Sequence, residues 1–373
     1  MIFRKKGPKI VISGYYGFDN CGDEAILLAM IHCFRRLRPD VRIIVLSDKP
    51  EATQSLYGVK AVDRWNPAKV ALALLTCRLF ISGGGSLLQD VTSRKSPKYY
   101  LMIIWAACIL RKKTMIYGQG VGPLVENENR MRAAAIFNKC SEITVRDDDS
   151  AELLKRIGVE KDIHVACDPV MALSYEDVQR DEIKEELQDM NLLDDTGRKQ
   201  KPLLVVAVRC WQDNRHIAPI ASLLDTQARF GWDVLLVPAH FPEDMQAIDK
   251  ISNQMTERLY CLGRRLTAQQ FFALTAYADR VFSMRLHGLI CAMAVGTPMI
   301  GLSYDPKVDA FMEQAGLERY CLPFDGFDWE TAEYLLEELE ASPLESRLKQ
   351  EVRRKALQEA AWVMAKKAMA LLD

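Results

Sequence analysis

Short apolar runs rich in Val and Ile alternate with longer stretches whose apolar residues recur every three or four positions. In the first half this alternation predicts strands at 9–13, 42–47, 78–82, 114–118, 142–146 and 163–167. The helical periods between them fall at 22–37, 67–76, 97–110, 127–139 and 148–157. The second half repeats the scheme, with strands at 203–209, 233–238, 259–262, 280–284 and 299–303 and helices at 217–230, 243–257, 267–278, 287–295 and 306–315. Apolar strands alternating strictly with helices make parallel sheets covered on both faces. The fold expected is therefore α/β, with two doubly wound, Rossmann-like domains facing across a cleft.

One segment breaks the rhythm. Residues 174–201 hold nine acidic and five basic residues and few large apolar ones. This reads as a charged helix plus a linker. The expected organisation is a domain over 1–175, a linker over 176–201, a second domain over 202–342, and a helix over 343–373 packing across both. Open parallel sheets bind ligands beyond the carboxyl ends of their strands, so candidate chemistry is sought at those ends.

Composition narrows the class. The 373 residues include 49 Lys+Arg against 50 Asp+Glu and are 49% hydrophobic, which excludes a disordered chain. The balance is uneven: residues 1–175 carry 26 Lys+Arg and 18 Asp+Glu, whereas 176–373 carry 23 and 32. A cationic first half suits a phosphorylated ligand, a lipid pyrophosphate or an anionic membrane face, or is an imbalance of solvated surfaces. Nucleic acid is not expected, because no stretch interleaves dense Lys/Arg with aromatics. Ten cysteines form no CxxC pair and the histidines no HxxxH, so neither a disulfide frame nor a metal site is expected. No secretory h-region follows the basic start, and the longest apolar run, Tyr99–Leu110, is too short to span a bilayer. A cytoplasmic chain is expected.

Five motifs stand at predicted strand ends. Gly14–Ala25 opens the first long helix with Gly17, Asn20, Gly22 and Asp23. It is neither GxGxxG nor a Walker A loop, so a dinucleotide site is unsupported. Either the loop brings backbone N–H groups to a ligand, or it is a tight turn with acids on the helix dipole. Gly83-Gly84-Gly85-Ser86 and Gly118-Gln119-Gly120 offer further cradles for an anion or a sugar hydroxyl. In Arg146-Asp147-Asp148-Asp149 the acids read as a helix cap rather than a metal site, while Arg146 faces the rim. Met284-Arg285-Leu286-His287-Gly288 is the most informative. On an extended segment Arg285 and His287 point the same way, one a fork for carboxylate or phosphate, the other a proton donor near neutral pH. Lys307, after Tyr304-Asp305-Pro306, and Arg209 add cations. Nucleophile motifs such as GxSxG are absent.

In this order the motifs, with Asp168-Pro169 and Tyr304-x-x-Lys307, resemble the polysaccharide pyruvyl transferase family over roughly 9–310. Within it they are most similar to the cell-wall branch, which modifies the polymer that anchors S-layer proteins. The resemblance implies a GT-B-like fold, phosphoenolpyruvate as donor substrate with no cofactor and no metal, and a pyruvate ketal on a sugar as product. The acceptor implied is a lipid-linked N-acetylmannosaminyl–N-acetylglucosamine precursor at the cytoplasmic face. Arg146, Arg285 and Lys307 would then hold phosphoenolpyruvate, with Arg209 added on position, and His287 would protonate its methylene carbon. Gly17, Asn20, Asp23, Gly84, Gly85, Ser86, Gln119 and Asp168 are the acceptor-side candidates, Asp23 or Asp168 positioning or deprotonating a hydroxyl.

A lipid-linked acceptor also draws in a membrane surface. The apolar stretch within 94–113 is bracketed by six cations, which fits either an interfacial helix or a buried sheet-covering helix. Two rival functions share the pattern: a GT-B glycosyltransferase using a nucleotide-sugar, and a non-catalytic sugar-binding protein of the envelope.

Overall fold

The computed structural model describes residues 7–91, 96–341 and 344–373. Arg94 and Lys95 of the bracketed stretch, and Ser342 and Pro343 at the expected domain edge, lie outside the described residues. By its internal contacts the chain divides into two compact units. The first comprises Met1–Phe18, Ile26–Ala172 and Leu357–Asp373; the second comprises Asp19–Ala25 and Leu173–Ala356.

In the first unit the strands are β1 (Lys9–Ser13), β2 (Arg42–Ser47), β3 (Lys60–Asp63), β4 (Leu79–Ser82), β5 (Gly85–Leu88), β6 (Lys113–Val121), β7 (Glu142–Val145) and β8 (Ile163–Val165). They form one parallel sheet in the order β3-β2-β1-β4-β6-β7-β8, with β5 paired to β6. The strands β1, β2 and β4 are nearly all buried apolar residues, as strands covered on both faces must be. The helices are α1 (Cys21–Leu37), α2 (Pro50–Tyr57), α3 (Pro67–Thr76), α4 (Ser96–Ile109), α5 (Asn127–Phe137) and α6 (Asp148–Arg156). The Asp147 carboxylate caps α6 by accepting from Ser150 N at 2.9 Å, so the acid run is a helix start. Val11, Phe80, Ile116, Leu74, Ile104 and Phe137 share the core.

In the second unit α7 (Asp181–Asp189) precedes β9 (Leu203–Ala207), α8 (Ile217–Arg229), β10 (Asp233–Leu236), α9 (Met245–Ser252), β11 (Tyr260–Cys261) and α10 (Ala268–Tyr277). There follow β12 (Arg280–Ser283), α11 (Leu286–Val295), β13 (Met299–Ser303), α12 (Pro306–Gln314), β14 (Cys321–Pro323), α13 (Trp329–Glu340) and α14 (Leu344–Ala370). The sheet order β11-β10-β9-β12-β13-β14 is that of a dinucleotide-binding doubly wound sheet, read outward in both directions from its first strand. The strand order of each sheet thus reverses beside its first strand, between β1 and β4 and between β9 and β12.

Three boundaries differ from the sequence reading. Asp19–Ala25 groups with the second unit, because Cys21 N donates to Ala239 O at 3.0 Å and Asn20 forms an antiparallel bridge with His240. The charged segment 176–201 is not only a linker: α7 buries Ile183 and Leu187, and Arg264 grips Glu186 with both ends of its fork. Residues of α14 are divided between the units at Ala356/Leu357. The Gly85–Leu88 stretch, expected as loop, is strand β5, because the nine-residue β6 extends beyond β4 and offers it a free edge.

Candidate functional site

The switch point of the second unit gathers the cations. Arg209 follows β9 by two residues, Arg285 follows β12 by two, and Lys307 follows β13 by four. Arg209 Nη1 donates to the Tyr304 hydroxyl at 3.4 Å, and its guanidinium lies 5.3 Å from the Tyr304 ring centre and 5.2 Å from that of Trp211. The Lys307 ammonium stands 6.0 Å from the same Tyr304 ring and 3.0 Å from the Asp305 carboxylate that caps α12. Tyr304 thus spaces two cations across one ring.

Arg285 is held from behind. The Asp244 carboxylate, 1% exposed, accepts from Arg285 Nε at 3.0 Å and from its Nη2. It also accepts from the backbone N–H groups of Ala239 (3.1 Å) and His240 (2.9 Å). A guanidinium has five N–H donors. Asp244 engages two of them, so the fork is fixed while other donors stay in reach of an anion. The sequence reading missed Asp244: it lies 41 residues from Arg285, and only its place beyond the end of β10 could have flagged it.

His287 departs from the expected geometry. Arg285 is the last extended residue (φ −77°, ψ 117°) and caps α11, so His287 lies in the first helical turn and the pair is not on one extended face. Its imidazole packs on Gly22 at the start of α1. A Cβ on Gly22 would stand 2.1 Å from Nδ1, so no other residue fits without moving the ring. Asn20 sits beside this contact. Its Oδ1 accepts from Gly22 N at 3.0 Å, closing the turn that opens α1. Asp19 pairs with Arg265 at 2.7 Å, and Asp23 lies half-buried in the first turn. Cys21 is no nucleophile: burial first, then the Glu24 and Asp244 charges, push its thiol up to about 12. Asn20, Asp23, Arg209, Arg285, His287 and Lys307 therefore fall within one unit.

The remaining candidates fall in the first unit. Arg146, 5% exposed, pairs with Asp147 at 3.1 Å. A Cβ on Gly120 would stand 2.6 Å from Arg146 Nη2 and 3.3 Å from Ser86 Oγ, so these three residues meet. Gln119 O accepts from Arg146 N at 3.3 Å, and its Oε1 accepts from Ser82 Oγ at 3.4 Å. Its buried Nε2 has no hydrogen-bond partner among the described residues. Gly84 packs against Gly118 O and Pro169, and Gly85 enters β5 with φ 88°. Gly17 rests on the turn after β2, where a Cβ would strike Ser47 Oγ. Asp168 is buried and accepts from Val170 N at 3.0 Å. Gly17 and Gly84 thus have packing duties of their own. Among the described residues no group of three or more His, Cys, Asp or Glu could hold a metal ion.

The family model for polysaccharide pyruvyl transferases matches residues 20–306, well over half the chain and from Asn20 to the turn before Lys307. The chain belongs to the polysaccharide pyruvyl transferase family. A comparison with curated proteins returned no match. Among solved structures, this pyruvyl transferase family member is similar to the UDP-GlcNAc 2-epimerase of Neisseria meningitidis bound to UDP-GlcNAc. The TM-score is 0.64 at 12% identity, over 97% of this chain and 100% of that one. It is also similar to Anabaena Alr3699/HepE in complex with UDP-glucose (TM-score 0.56, 13% identity, 98% and 97% covered). A glycosyltransferase from Rickettsia africae gives 0.57 at 12% identity, with 99% and 96% covered. At such identities the likeness shows the fold alone, which is GT-B-like.

Proposed function

We propose that this transferase takes its pyruvyl group from phosphoenolpyruvate and places it as a ketal on a lipid-linked saccharide. The observation that carries the reading is the rim of the second unit, where Arg209, Arg285, Lys307 and His287 surround the ends of three neighbouring strands. Phosphoenolpyruvate is small and carries a carboxylate and a phosphate, so it calls for several cations and no ribose or base pocket. Arg285, fixed by Asp244, suits bidentate contact with one of those groups. Arg209 and Lys307, spaced by Tyr304, suit the other.

His287 protonates the methylene carbon of the donor, making C2 electrophilic. An acceptor hydroxyl adds to C2 and its proton restores the imidazolium. A second hydroxyl displaces phosphate, which leaves with the second proton, and the methyl ketal remains. The arginines face the negative charge that develops on the departing phosphate. Asp23, half-buried in the first turn of α1 and in the same unit, orients the hydroxyl in this scheme. The acceptor most consistent with the resemblance of the motifs to the family's cell-wall branch is an N-acetylmannosaminyl–N-acetylglucosamine diphospholipid of the cell-wall polymer that anchors S-layer proteins. The chain would work at the cytoplasmic face of the membrane.

The test is phosphate release from phosphoenolpyruvate with that diphospholipid, read alongside the ketal methyl signal by NMR. Equal release of phosphate and formation of ketal is expected. A chain that binds phosphoenolpyruvate but modifies only soluble saccharides would overturn the acceptor assignment, and one that turns over only nucleotide-sugars would overturn the reading.

A further inference from the structure

Helices α3 and α4 cover neighbouring strips of the first sheet. Their inner faces, with Val70, Ala73, Leu74, Leu101 and Ile104, share one buried core. They lie side by side. At one end the Trp65 and Tyr99 rings are 5.4 Å apart, and at the other Lys112 Nζ donates to Leu75 O at 2.8 Å. Their outer faces are apolar too. Leu72 and Leu75 on α3, and Met102, Trp105 and Ile109 on α4, are between 47% and 63% exposed. The spacings 72/75 and 102/105/109 place each set on one stripe of its helix. No charged residue lies between Tyr99 and Leu110, which is unusual for a helix that faces solvent.

A rim of cations surrounds these stripes. Lys69 opens α3, Lys98 opens α4, and Arg111 and Lys113 follow it, all exposed. From Arg64 to Lys113 the one acid is Asp90, which is buried and turned to backbone N–H groups. Acids stand at the edge of the face: Glu128 of α5 pairs with Lys98 at 3.2 Å, and at the Trp65 end Asp48 accepts from Trp65 Nε1 at 2.6 Å and Asp63 from Trp65 N at 2.9 Å. An apolar centre flanked by the exposed cations Lys69, Lys98, Arg111 and Lys113 is complementary to a sheet of anionic headgroups over hydrocarbon. It is poorly matched to a second copy of itself, which would set cation against cation. Among the described residues no helix is long and apolar enough to cross a membrane, so contact through this face would be peripheral.

We infer that the α3–α4 face docks on an anionic lipid bilayer, with Trp105, Leu72, Leu75, Met102 and Ile109 entering the headgroup–acyl boundary and the Lys/Arg rim on the headgroups. The inference does not depend on the reaction the enzyme performs.

The test is co-sedimentation with phosphatidylcholine vesicles made with and without phosphatidylglycerol, at low and high salt. The wild type should bind the anionic vesicles and be released by salt. Trp105→Glu with Leu72→Glu should lower binding by about tenfold or more, as should Arg111→Glu with Lys113→Glu, each with an unchanged melting temperature. Phe230→Glu, an exposed aromatic of the second unit, should change nothing. Failure of the wild type to bind anionic vesicles would overturn the inference. So would binding that survives both pairs of substitutions, or a dimer in solution that the same substitutions dissociate in the absence of vesicle binding.

Discussion

The strand orders of the two sheets reverse at equivalent places, yet the sheets furnish those places differently. In the first unit the ends of β1 and β4 carry Gly14 and Gly83, and the ring of Tyr16 fills the space between them. A Cβ on either glycine would stand within 2.3 Å of that ring or its hydroxyl. In the second unit the ends of β9 and β12 carry Arg209, Arg285 and His287. One switch point is closed by an aromatic ring; the other is lined with side chains of the kind able to bind anions and move protons. Topology selects where a site can form in such folds, and the side chains at the strand ends decide whether it does.

The largest effect should come from His287. His287→Gln keeps the ring's approximate volume and removes its proton transfer. Turnover should fall by about 10²–10⁴, while phosphoenolpyruvate still raises the melting temperature. Wild-type turnover in this variant would break the contrast between the two switch points.

A buried carboxylate organises each unit, and the pair sharpens the comparison. Asp244 accepts two backbone N–H groups and the Arg285 fork. Asp90 accepts from Val125 N at 2.6 Å, Glu126 N at 3.0 Å and Asn129 Nδ2 at 3.0 Å, with no cation on it among the described residues. Asp244→Ala strands a charge as well as two amides, so it should cost about 3–5 kcal/mol by chemical denaturation. It should also weaken phosphoenolpyruvate binding, because Arg285 loses its anchor. Asp90→Ala should cost only about 1–3 kcal/mol and leave binding unchanged.

Asp90 further predicts a pH dependence. Burial opposes its charge, but the N–H groups of Val125, Asn129 and Glu126 outweigh that and hold its carboxyl below the usual carboxylate range. A carboxyl depressed by folding stabilises above its unfolded value and loses that stabilisation as pH falls through the folded one. The stability gap between wild type and Asp90→Ala should therefore be constant near neutrality and close at strongly acidic pH. A gap that widens on acidification would contradict the assignment.

Two glycines give a finer comparison. Gly22→Ala drives a methyl into the His287 ring, which is flanked by the closed turn of Asn20. A misplacement of this kind should lower kcat by about 10²-fold. Gly120→Ala meets instead the far end of the Arg146 side chain, which can yield. It should lower kcat by about tenfold or less. Equal losses would mean that the turn at Gly120 matters to turnover as strictly as the turn at Gly22.

These contrasts also show what was legible beforehand. The fully buried strands β1, β4, β9, β12 and β13 were read within two residues of their limits, because a strand covered on both faces is a continuous apolar run. Strand β5 was not, since Gly85 and Ser86 lack the apolar signal and the strand exists because β6 offers an edge. Helix α2 (PEATQSLY) was missed because its polar face hides the period; Pro50 at its start and Gly58 at its end were the usable signals. The strand-end cations were legible from position alone. Their arrangement was not: the anchoring of Arg285 by Asp244, the helical setting of His287 and the grouping of Asn20 and Asp23 with the second unit all arise from tertiary contacts.

The proposed function requires the second unit's rim to take phosphoenolpyruvate. Thermal unfolding with phosphoenolpyruvate, UDP and UDP-sugars tests it without any acceptor. Ligand at about 100 times its Kd should add about 2.7 kcal/mol of stability. Phosphoenolpyruvate should raise the Tm, with the rise lost in Arg285→Ala and reduced in Lys307→Ala. A rise with UDP or UDP-sugars and none with phosphoenolpyruvate, or a phosphoenolpyruvate shift indifferent to Arg285, would contradict it.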